Sequence, residues 1–163
     1  MRVLQRFNEL LVLVGSWGTI LFMAVMGIVI PYEVIGRYVF QSMSIWSGEV
    51  STFSLAWASM LGGAVGLKKG YQVSMMTLVD AVPLALAKGL KFAAYLFSLF
   101  FFGAMFYHGV VQTILNAKQF SPAMELVMAV PYAALPTGFF IMLSFTLEEF
   151  LVFLGIGAKG GSR

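Results

Sequence analysis

Glu33 and Arg37 stand four residues apart, Trp46 and Glu49 follow closely, and His108, Gln112 and Asn116 recur at a spacing of four. These side chains could move a proton, hold an ion or bind a carboxylate. A carboxylate, a guanidinium and an imidazole at one depth would make a proton path, and ionisable groups inside a membrane span are functional candidates by default. Each also has a plainer reading. A Glu placed N-terminal to its basic partner at i, i+4 is the favourable order for a helical ion pair, so Glu33 and Arg37 can neutralise each other. Pro31 would kink the helix beside them. Glu49 opening a helix would be stabilised by the dipole, with Ser47 as a candidate cap. Trp46 suits an interfacial anchor. His108, Gln112 and Asn116 share one helix face, where interhelical hydrogen bonding competes with proton transfer as their role.

The composition sets the solvent in which these groups act. Hydrophobic residues make up 60% of the 163 and charged residues only 10%, against about a quarter in soluble domains. With a mean hydropathy of +0.91, most of the surface is suited to lipid. No cysteine is present, which excludes a disulfide framework, a thiolate metal site and a cysteine nucleophile. A single histidine, His108, excludes a bis-histidine haem or a histidine-rich metal site within this chain. No nucleophile–base pair, phosphate loop or nucleic-acid patch stands out, and the expected catalytic, metal and cofactor sites are none.

The elements that must position the polar groups are helices. Uncharged runs Leu10 to Tyr32, Val50 to Leu67, Phe92 to Ala117 and Leu126 to Leu147 are each near the length needed to cross about 30 Å of hydrocarbon. The chain therefore reads as an all-α membrane protein, a single domain over 1–163, with spans at about 10–36, 49–67, 90–116 and 126–154. The first run is too long for a signal-peptide core and lacks a small-residue cleavage site, so it reads as a retained anchor. Of the ten Lys and Arg residues, only Arg37 and Lys118 fall on one side of the expected bilayer; the other eight fall on the opposite side. The positive-inside rule then puts both termini in the cytoplasm. The segment at about 70–89 is too apolar for a solvated loop. It reads either as an interfacial helix between spans two and three or as an N-terminal extension of the third span, with Pro83 suited to a first turn.

Packing and charge give further candidates. Ser54, Ala58, Gly62 and Gly66 repeat every four residues and form a strip of small side chains where another helix can approach closely. Glu148 and Glu149 lie about 31 Å along the axis from the start of the fourth span. That places them at the cytoplasmic interface with Lys68, Lys69, Lys88 and Lys91 as possible partners. Pro131 and Pro136 predict a bent entry to that span, with neighbours supplying partners for freed backbone groups. The span centres carry no charge, which suits a scaffold or accessory subunit better than a transporter acting alone.

Three motifs in order carry a resemblance across nearly the whole chain. They are R-Y-V-F at Arg37 to Phe40 with W-S-G-E at Trp46 to Glu49, L-G-G-A-V-G-L-K-K-G-Y-Q-V at Leu61 to Val73, and V-P-Y-A-A-L-P-T-G at Val130 to Gly138. With the size and four spans, the pattern resembles the small membrane subunit, DctQ type, of tripartite ATP-independent periplasmic (TRAP) transporters. Gln72 stands where that family often has His, Met76 where it often has Asp, and Gly48 where it has the first of two carboxylates. The resemblance implies a scaffold without catalysis. Its partners would be a large multi-span permease subunit, a periplasmic substrate-binding protein and phospholipid. Sodium coupling and an organic-acid substrate, a carboxylate or a sialic-acid-like anion, would belong to the assembly, in the bacterial inner membrane. Arg37, Tyr38, Trp46 and Glu49 become the candidate interface with those partners. The competing expectation is a small membrane enzyme or proton-conducting protein using Glu33, Arg37 and His108.

Overall fold

The computed structural model of the protein describes residues 2–41, 44–79 and 84–155. Four long helices account for most of them: α1 (Arg2–Tyr38), α2 (Ile45–Val79), α3 (Leu84–Leu115) and α5 (Ala134–Phe153), with the one-turn α4 (Ala129–Tyr132) leading into α5. A 3-10 turn, Asn116–Lys118, closes α3. All four long helices contain windows long and apolar enough to cross a membrane. At 1.5 Å per residue α1 and α2 run about 50–55 Å, well beyond a hydrocarbon core of about 30 Å. Their charged ends therefore extend past the apolar slab while the backbone stays helical.

The segment at about 70–89 is divided between two helices. Residues up to Val79 continue α2, and Leu84 already belongs to α3; residues 80–83, with Pro83, lie outside the described residues. Nothing in the stretch after Lys69 stops the helix. Gly70 is a weak breaker and no proline intervenes before position 83. Helical extension thus takes the place of a separate helix there.

The helices lie side by side in the order α1–α2–α5–α3, with a minor α1–α5 contact that includes Asn8 against Ser144 and Glu148. Burial follows that order. In the most apolar windows of the flanking α1 and α3 only 6% of residues are buried, against 22% in α2 and 33% in α5. Such a row cannot close around a central core, and its two broad faces are left apolar and open. The buried centre is the α2–α5 seam of Leu61, Ala64, Ile141 and Phe145, flanked by Leu11, Phe22, Trp57 and Met142.

Each seam has its own packing device. Between α1 and α2 side chains fill the space over facing glycines, since a Cβ on Gly18 would lie 2.7 Å from Leu61 Cδ1 and one on Gly62 3.2 Å from Thr19 Cγ2. Between α2 and α5, a Cβ on Gly138 would sit 2.8 Å from Met60 Cβ and 3.3 Å from its carbonyl oxygen, so only glycine fits. Between α3 and α5 the contact is aromatic, Phe92 and Tyr95 against Phe150, Phe102 against Phe139 and Phe106 against Phe140. The helix is interrupted at Ala133, between Pro131 and Pro136. There Trp57 Nε1 donates to the Val130 carbonyl at 3.2 Å, so a neighbouring helix satisfies one backbone acceptor of the bent entry.

Candidate functional site

The polar side chains gather at the two ends of the row. The terminal end, where α1 begins and α5 stops, carries Asn8, Lys68, Glu148 and Glu149. Lys68 Nζ donates to Glu148 Oε2 at 2.7 Å and lies 3.7 Å from Glu149 Oε1. The same Nζ sits 5.6 Å from the centre of the Phe145 ring. Asn8, 1% exposed, donates from Nδ2 to Glu148 Oε2 at 2.6 Å and to the Ser144 carbonyl at 3.2 Å. One carboxylate oxygen thus joins α1, α2 and α5. Of the cytoplasmic-interface candidates, Lys68, Glu148 and Glu149 meet. Lys69, Lys88 and Lys91 form no ion pair with any described carboxylate. The sequence reading missed Asn8, whose only signal was an amide just before the first apolar run.

The loop end is organised by Glu49. The structure starts α2 at Ile45, so Glu49 lies one turn inside the helix, not in its first turn. Its carboxylate accepts hydrogen bonds from Ser121 Oγ, from the Ala123 N–H at 3.0 Å and from the Met124 N–H at 3.1 Å. Ser47 does not cap the helix: the side chain is buried and donates to the Ser44 carbonyl at 2.9 Å. The loop that Glu49 grips folds on itself. Ser121 N–H donates to the Leu126 carbonyl, Met128 N–H to that of Gln119, and Glu125 N–H to that of Ser121. Glu125 adopts a left-handed φ of 52° to close that turn. Ser121, 2% exposed, is the second residue that sequence reasoning missed, although S-P-A-M-E is turn-like in composition.

Trp46 stacks on Tyr32 of α1, ring centres 5.9 Å apart, and still keeps 44% of its surface exposed. Arg37 is exposed and Tyr38 is 77% exposed. The ion pair expected between Glu33 and Arg37 does not form; the ion pairs among the described residues are those of Lys68. Arg37 ends α1 with solvent around it, where such a pair offers only a few tenths of a kcal/mol against side-chain entropy. Arg37, Trp46 and Glu49 therefore do not converge on one point. Glu49 is committed to the loop and Trp46 to Tyr32, while Arg37 is exposed and forms no ion pair with any described residue.

Three of the four residues of the small-residue strip are used for packing. Ser54 and Ala58 are buried and Gly62 faces Thr19, but a Cβ on Gly66 would meet nothing within 4 Å. A spacing of four advances about 40° per step on a helix of 3.6 residues per turn, so Gly66 has rotated about 120° away from Ser54. Leu61 and Ala64 take over the seam. In the turn that closes α3, Asn116 is buried and donates to the Gln112 carbonyl at 2.7 Å, a bond within its own chain segment. His108 and Gln112 are exposed, with Tyr107 edge-on to the His108 ring at 5.5 Å. The face predicted to bond between helices thus bonds locally at one end and faces outward at the other. No cluster of three or more His, Asp or Glu able to hold a metal occurs among the described residues.

A family model described as "Tripartite ATP-independent periplasmic transporters, DctQ component" matches residues 25–154. The chain is also similar to the C4-dicarboxylate TRAP transporter small permease protein DctQ of Vibrio cholerae, at 30% identity over 67 residues. That alignment covers 41% of this chain and 29% of the relative.

Proposed function

Because the chain belongs to the family of the DctQ component of TRAP transporters, a transporter component and not an enzyme, we propose that it is the small scaffold subunit of an organic-acid importer. In that role it binds a large multi-span permease subunit, and a periplasmic binding protein delivers the substrate to the pair. Sodium coupling resides in the large subunit, and this chain holds no substrate of its own. It sits in the bacterial inner membrane with both termini in the cytoplasm, as its eight-to-two distribution of basic residues favours. The relative's C4-dicarboxylate cargo makes a small carboxylate the first substrate class to try.

The observation that carries this reading is the open row. Polar contacts fasten the two ends, while the spans between them present apolar faces. An apolar groove of about 570 Å³ runs along one, lined by residues such as Val14, Phe22, Phe53, Trp57 and Phe140. A flat brace laid against a larger membrane protein needs this shape; a substrate path needs polar groups at mid-depth. The rival site is not assembled either. Glu33 and Arg37 lie on α1 and His108 on α3, the two flanking helices of the row, with α2 and α5 between them.

Co-expression with the large subunit tests the proposal. A tag on this chain should retain the large subunit through detergent extraction and size exclusion, and omitting this chain should abolish uptake. A stable monomer that never co-purifies, with uptake undiminished in its absence, would overturn it.

A further inference from the structure

At the edge of the row, α3 carries two polar side chains that no described residue satisfies. Lys91 and Lys118 bound its uncharged part, about 40 Å apart along the axis, so its middle falls near residues 104–105. His108 stands about 5 Å from that middle and Gln112 about 11 Å, both within a hydrocarbon half-thickness of about 15 Å. Both are exposed, and neither side chain hydrogen-bonds to any described residue. The backbone carbonyl of Gln112 accepts from Asn116, but its carboxamide takes no part. Tyr107 meets His108 only ring edge to ring face. Lipid tails offer no hydrogen bonds, so polar groups left facing them at this depth are costly.

The surroundings of the two are those of a helix–helix seam. Phe97, Phe101, Met105, His108, Gln112 and Leu115 follow one another in steps of four or three, so they share an arc of about 80°. All six are exposed, Phe97 at 71% and Leu115 at 66%. The arc lies off the side of α3 that packs on α5, where Tyr95, Phe106 and Gly109 make the contact. As α3 flanks the row, a partner reaches this arc without displacing any described helix. That partner must supply apolar surface and, at two fixed depths, hydrogen bonds. A second copy of the chain does so. Two copies inserted with the same topology lie parallel, so across a two-fold axis along the membrane normal each residue meets its equal at equal depth. A carboxamide carries donors and an acceptor, and an uncharged imidazole one of each, so both residues are complementary to themselves. We propose that the chain forms a parallel homodimer through this arc of α3, with His108 and Gln112 of the two copies hydrogen-bonding across it. This inference concerns the chain alone and does not depend on the proposed transport role.

The full-length chain, reconstituted alone in phosphatidylcholine vesicles, provides the test. Association is read by energy transfer between donor-tagged and acceptor-tagged copies as added lipid dilutes them, and a saturable dimer is expected. His108→Leu and Gln112→Leu together should weaken it about tenfold, the range of interhelical hydrogen bonds in lipid. Both positions are exposed, so the thermal midpoint should hold. The chain has no cysteine, so single cysteines map the seam without background. Met105→Cys and Leu115→Cys should cross-link with a membrane-soluble oxidant. Ile20→Cys, exposed on α1 at the other edge of the row, should not. Energy transfer that matches random mixing at every dilution would overturn the proposal. So would association unchanged in the double variant, or cross-linking at Ile20 as strong as at Met105. Random mixing of the chain alone, with Leu115→Cys cross-linking to a co-expressed large subunit, would assign the arc to that partner instead.

Discussion

At the loop end one carboxylate, Glu49, collects donors from Ser121, Ala123 and Met124, whereas at the terminal end Glu148 shares one oxygen between Asn8 and Lys68. Two of the donors to Glu49 are backbone N–H groups, so it holds the shape of a loop. Both donors to Glu148 are side chains from other helices, so it holds the positions of helices. The first contact can be lost and leave the row intact. The second binds three of its four members, and two of the three groups are buried. In a protein without a closed core, the stronger constraint belongs at the end where the flanking helix α1 touches α5 as well as α2. The comparison predicts a graded series of effects.

The largest falls on Lys68. Lys68→Met leaves Glu148, 9% exposed, and Glu149 without a cation at the terminal end. Removing one member of a buried pair costs about 3–5 kcal/mol; with Lys68 partly exposed, about 2–3 kcal/mol is expected here. Tryptophan fluorescence during thermal unfolding in detergent should show a lowered, broadened transition, and the double change Lys68→Met with Glu148→Leu should recover part of the loss. A single change no worse than a surface substitution would show that the two ends are not fastened differently.

The next effect lies between the ends. Gly138→Ala places a methyl against Met60 Cβ and its carbonyl oxygen, and backbone cannot yield as a flexible side-chain tip does. Overpacking of this kind costs about 1–3 kcal/mol. Gly66→Ala, on the same α2–α5 half of the row but facing open space, should be neutral in the same assay. Similar losses from both changes would contradict the seam.

Glu49→Ala should act locally. It removes three hydrogen bonds, and water can reach the loop and replace part of them. Limited proteolysis should cut between residues 119 and 128 faster, while the thermal midpoint of the helices shifts little. A global collapse on Glu49→Ala would make the loop end equal to the terminal end.

How far these contacts were legible in the sequence follows from what each depends on. The four spans were readable because bilayer thickness fixes the length of an apolar run. The meeting of Glu148 and Glu149 with a lysine was readable from depth, since two interfacial charge groups at one level must be near each other. Which lysine wins was not, because rotation about the α2 axis decides it and Lys68 and Lys69 differ by 100°. The Glu49 contact was not readable either. It joins residues more than 70 apart in sequence, and a carboxylate near a helix start already had a local explanation in the dipole. The small strip was readable as packing but not in extent, because its four-residue period drifts off the seam. The Asn8 contacts needed coordinates, since the partners of a buried amide are defined only by its neighbours.

The smallest expected effect on stability belongs to Arg37, and there the comparison becomes a question about partners. Arg37 forms no ion pair with any described residue and ends α1 beside the exposed Tyr38, Val39 and Phe40. Arg37→Ala should therefore change the thermal midpoint by no more than the roughly 0.5 kcal/mol typical of surface positions. If the loop end meets the binding protein or the large subunit, the same change should lower uptake or co-purification severalfold at unchanged stability. Glu49→Ala should lower it too, but through a loosened loop that proteolysis detects. The two mutants separate a docking charge from a loop-shaping one. Normal uptake with Arg37→Ala would leave the loop end only its anchoring role, with Trp46 stacked on Tyr32 as its part in that.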